Sequence, residues 1–292
     1  MYYNGIDDRK LNLMEHILIE LSKRYPQLLL PISDETRNSE AYKNAVLRGA
    51  PLSGIPEFSL SEKDCLEIVE TPAGKAEVLT LWNRADFEHC IRALAHRCMN
   101  AEIPETMGAS TISGLINWEK IRRHQEEYLA GGRGDWDEEF ARFTADRKNY
   151  RDTIIVLSSG FYSALSPEKA GFPPEKWLEL SLTIRKYHEL AHFVSRALYP
   201  DHKEAVRDEV LADMNGIIAA LGRFDADLLA KFLGITGEGV THGRLENYVP
   251  KEELSAAAER VRSMLSVLTE FCKSEQRPFE ALLKLEEGKV FL

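Results

Sequence analysis

Apolar residues along most of the chain are spaced as in amphipathic helices. In residues 11–25 they recur every three or four positions and stop before Pro26, which predicts a helix there. The same periodicity is strongest across residues 173–226, with one break at 199–201. Further helices are predicted at 84–99 (with Asn83 as N-cap), 226–233, 251–273 and 278–286.

Three segments have the composition of β-strands instead. LEIVET (66–71) and AEVLTLW (76–82) flank a Pro-Ala-Gly-Lys turn and predict a hairpin, and TIIVLSSG (153–160) is the most strand-like run. Residues 31–60 are rich in turn-forming residues and are predicted to be loop. Residues 101–118 are Gly-rich and apolar and are expected to become helical only near Trp118.

Helix therefore outweighs strand, which predicts an α+β protein with a small sheet in its N-terminal half and a helical C-terminal half. We expect one domain over residues 1–292, because no segment has the composition of a flexible linker. Two lobes, an α+β lobe at 1–160 and a helical lobe at 170–292 with the site at their junction, are the alternative organisation.

Composition narrows the function classes. The 292 residues include 37 Lys and Arg against 47 Asp and Glu, a net charge of −10 that argues against a nucleic-acid surface. No signal-peptide core and no run of membrane-spanning length is present, so we expect a cytoplasmic protein that does not bind membranes. The four cysteines lack C-x-x-C spacing and are expected to be reduced, buried side chains. The oligomeric state is left open.

The sequence HELAH at 188–192 lies within the longest predicted helix. Residues four apart lie on the same face, so His188 and His192 can reach one metal ion. Glu189 is offset by one position, where its carboxylate can deprotonate a coordinated water. Two imidazoles and an open position suit catalytic Zn²⁺, one per chain. A histidine pair on an amphipathic helix without metal is the alternative.

A third ligand is available on the next predicted helix. Glu209 follows His192 by 17 positions, far enough for the chain to turn back and run antiparallel. Asp213 lies one turn further on the same face, where it can accept the N–H of a ligand histidine. Small Ala212 and Gly216 would let the two helices approach closely. The alternative is that Glu209 and Asp213 belong to a solvated helix face and bind no metal.

The order H-E-x-x-H, then E-x-x-A-D with a Gly three positions further on, resembles the zincin metallopeptidases and their glutamate-ligand branch, the gluzincins. The resemblance covers residues 175–220. It implies that His188, His192 and Glu209 bind zinc, that Glu189 is the general base, and that Asp213 supports a ligand from behind. By analogy with zincins, Thr153–Leu157 would be an edge strand lining the cleft.

Gluzincins also use a downstream Tyr or His to stabilise the tetrahedral oxyanion. The loop at 237–250 offers Tyr248 and His242 for this role, with Arg244 as a further candidate. Structural roles remain open for each: Tyr248 packing on the next helix, Arg244 paired with Glu246, and His242 solvated.

Together these residues predict a zinc-dependent hydrolase, peptidase-like, which cleaves an amide bond in a peptide or related substrate. One alternative is a non-catalytic zinc-binding regulatory or interaction protein that retains a zincin-like site. A metal-free helical interaction protein is the other.

Overall fold

The computed structural model contains a four-stranded main sheet and confirms the α+β class. Its strands are β1 (Cys65–Thr71), β2 (Gly74–Leu81), β3 (Ala109–Ile116) and β4 (Arg151–Ser158). Their order across the sheet is β1-β2-β4-β3, with β2 and β4 parallel. The first two strands are the predicted hairpin and the last is the predicted strand-like run. Residues 8–132, 134–236, 239–240 and 243–291 are described.

The expectation that Thr153–Leu157 forms an edge strand is wrong. This part of β4 lies inside the sheet, with β2 on one side and β3 on the other, so β1 and β3 are the edges. Ile154 to Leu157 are all almost completely buried. A continuous apolar run of this kind is typical of a strand covered on both faces, which is the pattern of an interior strand.

Two segments contain regular structure that the sequence does not predict, one of them within the predicted loop at 31–60. Residues 109–116 form β3, in which Ile112 and Leu115 are buried, although Gly114 at φ +77° weakens the strand pattern. Residues 40–47 form a short helical segment after a 3₁₀ turn at Thr36–Asn38, and Ser39 caps its N-terminus by accepting a hydrogen bond from the Tyr42 amide. Burial of nearby apolar side chains outweighs the turn-like composition in both segments.

The chain forms two compact units. The first comprises the described residues up to Glu67, together with Glu77–Pro104 and Ser110–Ser158, and the second comprises Ile68–Ala76, Glu105–Ala109 and the described residues from Ser159 onward. Helices of the first unit are α1 (Asp8–Arg24), α2 (Glu40–Tyr42, continued by a π-helical turn over Lys43–Leu47), α3 (Arg84–Leu94), α4 (Trp118–Ala130) and α5 (Trp136–Ala145).

The second unit is predominantly helical. Its helices are α6 (Pro167–Ala170), α7 (Pro174–Leu198), α8 (Ala205–Leu221), α9 (Ala226–Leu233), α10 (Leu254–Phe271) and α11 (Glu280–Glu287), and a two-stranded ribbon pairs β5 (Ile235–Thr236) with β6 (Gly239–Val240). Helices α7 to α11 surround one apolar core that includes Trp177, Ile184 and Phe232. None of the helices in the described ranges is long and apolar enough to cross a bilayer.

Candidate metal centre

Helix α7 holds both histidines of the HELAH sequence. It begins with Pro174 in its first turn and ends at Leu198, just before Tyr199 and Pro200. Its buried stripe includes Trp177, Ile184 and Val194, and this stripe fixes the rotation of the helix in the core. His188 and His192 therefore lie one turn apart on the same inward-facing side.

Helix α8 packs closely against α7. Glu204 caps its N-terminus by accepting hydrogen bonds from two backbone amides, and Gly222 ends it in a left-handed conformation. A β-carbon at Gly216 would lie 2.6 Å from the Ile184 carbonyl oxygen, which confirms that a small residue permits this approach. The contacts run in opposite directions along the two helices: Gly216 with Ile184, Asp213 with His188, and Glu209 with His192.

Three predicted metal ligands converge at this helix pair. The Nε2 atoms of His188 and His192 are 3.1 Å apart. Glu209 places one carboxylate oxygen 3.5 Å from His188 Nε2 and the other 3.3 Å from His192 Nε2. Ligands bound to tetrahedral zinc at 2.0–2.1 Å are separated by about 3.3 Å. The donor set therefore fits a metal ion of this size, and His188, His192 and Glu209 could hold one.

Asp213 orients His188 from behind. Its Oδ1 atom lies 2.8 Å from His188 Nδ1, and its carboxylate is completely buried. Since Nδ1 donates its proton to this carboxylate, the lone pair of Nε2 points toward His192 and Glu209. Burial by itself would lower the pKa of His188, but the hydrogen bond to Asp213 and the charges of both carboxylates raise it overall. The same negative charge favours a bound cation.

Two further side chains hold Asp213. The Tyr162 hydroxyl donates to Asp213 Oδ1 at 2.6 Å, and Arg244 donates to Oδ2. Arg244 also donates to the Tyr162 hydroxyl at 2.7 Å, which closes the network. Burial tends to raise the pKa of Asp213, but the Arg244 charge and the hydrogen bond from His188 lower it overall. Asp213 is therefore an ionised acceptor for His188.

Glu209 is held by Tyr248, whose hydroxyl donates to Oε2 at 2.8 Å. Burial tends to raise the pKa of Glu209, but the hydrogen bond with His192 and the charges of both histidines lower it strongly. Burial raises the pKa of Tyr248, so its hydroxyl stays protonated as a donor. The carboxylate is thus ionised and positioned as a metal ligand requires.

The structure brings together most of the site residues predicted from sequence. His188, His192, Glu209 and Asp213 meet in one cluster, and Tyr248 contacts it through Glu209. Arg244 donates hydrogen bonds to Asp213 and to the Tyr162 hydroxyl. Two predicted catalytic residues are not placed in this cluster. Glu189 is half-buried on α7, one position after His188. His242 lies outside the described residues.

Tyr162 is a site residue that the sequence does not reveal. It follows β4 in a 3₁₀ turn, where Ser163 and Ala164 have positive φ angles of 55° and 53°. Its backbone amide donates to the Ser181 hydroxyl on α7, which fixes the turn against that helix. No spacing or motif marks this tyrosine, because its partners are 26 and 51 positions away.

A cavity of about 680 Å³ opens beside the cluster. Its walls come from the last turns of α7, the first turns of α8 and Tyr248, and the ligands His192 and Glu209 form part of its surface. This volume lies within the range of small-molecule and peptide-side-chain sites. Two of the three candidate metal ligands are therefore reached from this cavity.

Comparison with known proteins identifies a family but no activity. A model described as a family of unknown function, DUF7005, matches residues 13–281. No curated protein and no solved structure matches the chain. The matched residues include both helices of the candidate metal centre and the loop that carries Tyr248. The chain belongs to the DUF7005 family.

Proposed function

We propose that the protein is a zinc-dependent hydrolase with a gluzincin-like ligand set that cleaves an amide bond in a peptide or related substrate. The observation that carries this proposal is the convergence of His188, His192 and Glu209 at tetrahedral spacing, with His192 and Glu209 lining a cavity. A purely structural zinc site would usually be closed by a fourth protein ligand.

Zinc is the metal that this ligand set favours. Imidazole nitrogens and a carboxylate are the ligands of many catalytic zinc sites. Calcium and magnesium prefer sites built mainly from oxygen ligands. Asp213 strengthens the case because carboxylate partners of ligand histidines raise the basicity of the imidazole and fix its tautomer.

In the proposed reaction, bound zinc would supply a Lewis acid that polarises the amide carbonyl and lowers the pKa of the attacking water. Glu189 would accept a proton from this water and transfer it to the leaving amine. Tyr248 and His242 are the candidate donors to the tetrahedral oxyanion. Tyr248 is a protonated donor at the edge of the cluster, and it would move its hydrogen bond from Glu209 to the oxyanion.

The test of this function is Glu189→Gln. The amide can still hydrogen-bond the water but cannot accept its proton, so hydrolysis of a broad peptide library should fall about 10²- to 10⁴-fold. Zinc content by elemental analysis should stay at the wild-type value. The control is Glu175→Gln, which removes an exposed carboxylate from the first turn of the same helix. Equal inertness of wild type and Glu189→Gln, with zinc bound to both, would favour a non-catalytic zinc protein.

A further inference from the structure

The cavity beside the candidate metal centre extends beyond His192 along the end of α7 and the connection to α8. On α7, Arg196 follows His192 by one helical turn and also lines the cavity. Lys203, in the connection between α7 and α8, lines it as well. Four residues of α-helix rise about 6 Å, so a substrate held at His192 would extend to Arg196.

The acidic side chains of this cavity are already engaged. Glu204 caps α8 and also accepts a hydrogen bond from Arg260 at 2.5 Å. Asp208 accepts from the Glu204 amide at 3.3 Å and lies 3.4 Å from Arg207. Glu204 is therefore paired with a cation, whereas Asp208 shares Arg207 with Glu286 and keeps part of its negative charge.

The two cations differ from these acids. Arg196 and Lys203 are exposed, and within the described part of the chain neither makes an ion pair or a side-chain hydrogen bond. Their charges therefore face the cavity and the solvent without a direct counter-ion among the described residues. A cleft wall with uncompensated positive charge concentrates and orients anionic ligands.

We propose that the cavity selects amide substrates that carry a carboxylate, which Arg196 and Lys203 bind while the scissile amide lies at the metal centre. The proposal rests on the proposed amide-bond hydrolysis for the nature of the substrate. A carboxylate is the anionic group that peptides carry, either at the C-terminus or on an acidic side chain. Arg196 can bind it through two parallel hydrogen bonds.

The helical spacing supports this arrangement. Glu189, His192 and Arg196 follow one another at intervals of three and four residues, so they occupy one side of α7. The general base, a metal ligand and the carboxylate-binding cation would thus lie along one line. Arg196 also lies in the last turn of α7, where a cation stabilises the helix dipole. Thermal stability must therefore be measured together with binding.

The experiment measures binding without turnover. Zinc-loaded Glu189→Gln protein is immobilised and exposed to a peptide library of matched pairs, with Glu or Gln at one position and a free or amidated C-terminus. Mass spectrometry identifies the enriched peptides, and dissociation constants are measured for the best pair. Arg196→Gln, Lys203→Gln and the double variant are made in the same background. Lys231→Gln is the control, because Lys231 is an exposed cation in the last turn of α9 and does not line the cavity.

We expect the carboxylate peptide to bind more tightly than its amide partner. Arg196→Gln and Lys203→Gln should each weaken it about fivefold, and the double variant about 20-fold, with little change for the amide partner. Preference for a free C-terminus identifies the terminal carboxylate, and preference for Glu identifies a side chain. Lys231→Gln should bind as the background protein does.

Failure of this proposal is distinguishable from failure of the proposed function. Equal binding of acid and amide peptides, binding of neither, or equal losses for both in the Arg196 and Lys203 variants would overturn carboxylate selection. A lower melting temperature with unchanged peptide preference would assign Arg196 to helix stabilisation and also overturn it. Carboxylate-selective binding by a zinc-loaded protein that hydrolyses nothing would sustain the recognition surface and reject only the hydrolase.

Discussion

Helix α8 carries two buried polar clusters that differ in how their charges are satisfied. Arg207, near its start, belongs to a structural cluster with Glu286, His202 and the backbone of Val290. Glu209, two residues later, belongs to the candidate metal centre. Both clusters combine histidine, arginine and carboxylate side chains, so residue type and burial alone do not distinguish them.

The structural cluster is closed. Arg207 is 0% exposed and Glu286 is 1% exposed, with Nη2 of Arg207 donating to Oε2 of Glu286 at 2.7 Å. Arg207 Nε donates to the Val290 carbonyl at 3.0 Å, and His202 Nδ1 lies 3.1 Å from the same Glu286 oxygen. Burial tends to raise the pKa of Glu286, but the hydrogen bond from Arg207 lowers it overall. Each donor meets an acceptor, and the two buried charges cancel.

In the candidate metal centre, by contrast, the charges of the side chains do not balance. The two carboxylates, Glu209 and Asp213, face a single guanidinium from Arg244, so one negative charge remains when the imidazoles are neutral. The Nε2 atoms of His188 and His192 and the carboxylate of Glu209 converge within 3.1 to 3.5 Å. Such a set is satisfied by a cation and not by further hydrogen bonds. The convergence of three possible metal ligands with an unbalanced charge therefore distinguishes the candidate metal centre from the structural cluster.

The largest expected effect comes from removing a metal ligand. His188→Ala, His192→Ala and Glu209→Ala should each reduce zinc from about one equivalent per chain to nearly none, because three protein ligands leave no redundancy. Elemental analysis of purified protein measures this. A chelator should lower the melting temperature of the wild type and leave that of His188→Ala unchanged.

His202→Ala is the matched control for this prediction. His202 also lines the cavity, but its ring nitrogen contacts Glu286 of the structural cluster. Its loss should leave zinc stoichiometry unchanged. Wild-type protein without any transition metal after careful purification would contradict the metal centre itself, and zinc loss in His202→Ala would contradict the separation of the two clusters.

Breaking the structural cluster should have the opposite outcome. Arg207→Met leaves Glu286 buried without its partner, which should lower the free energy of unfolding by about 3–5 kcal/mol. Urea denaturation in the presence of chelator measures this without a contribution from zinc. The folded fraction should still bind one zinc. Arg207→Met combined with Glu286→Leu should recover much of the loss, and a stable Arg207→Met protein that binds zinc weakly would reverse the assignment.

Asp213→Asn should have an intermediate effect on the metal centre. The amide cannot hold the Nδ1 proton of His188 as a carboxylate does, so zinc affinity should fall about 10- to 100-fold while the fold is retained. Competition with a chelator of known affinity measures the change. Asp208→Asn removes the same charge five positions earlier, from a side chain whose contacts are the Glu204 amide and Arg207, and should cost less than about threefold. Equal losses in both variants would mean that charge alone matters.

The part of the site that the sequence predicts is the part carried by helical spacing. His188 and His192 are four apart on one helix, and Glu209 and Asp213 are four apart on the next, so local periodicity places all four side chains. Tyr162 is missed because it lies in a loop between elements. Such a residue reaches the site only through tertiary contacts. Tyr162, for example, is 51 positions away from Asp213 in the sequence.

The same distinction applies to the fold. Helices α9 and α11 begin and end close to their predicted limits because amphipathic periodicity defines them. Strand β3 is missed because Gly114 interrupts its pattern, and the helical segment at 40–47 is missed because its stability comes from burying Tyr42 and Val46. The interior position of β4 depends on strand order, which no local segment encodes.

The smallest effect is expected for Tyr162→Phe, which tests how much the Tyr162 hydroxyl contributes to holding Asp213. The substitution removes a hydroxyl that donates to Asp213 and accepts from Arg244, while the ring keeps its edge contact with Phe232 at 4.9 Å. Asp213 still binds His188 and Arg244. We therefore expect zinc affinity to fall only about two- to fivefold and the free energy of unfolding to fall by about 1 kcal/mol.

The matched control is Tyr187→Phe, which also removes a tyrosine hydroxyl. Tyr187 precedes His188 on α7, and its ring packs near Phe279. It should change neither quantity measurably. If Tyr162→Phe weakens zinc as much as Asp213→Asn does, then the carboxylate is not sufficient to orient His188. The Tyr162 hydroxyl, which also lies 2.9 Å from His188 Nδ1, would then be the group that fixes the tautomer of the ligand.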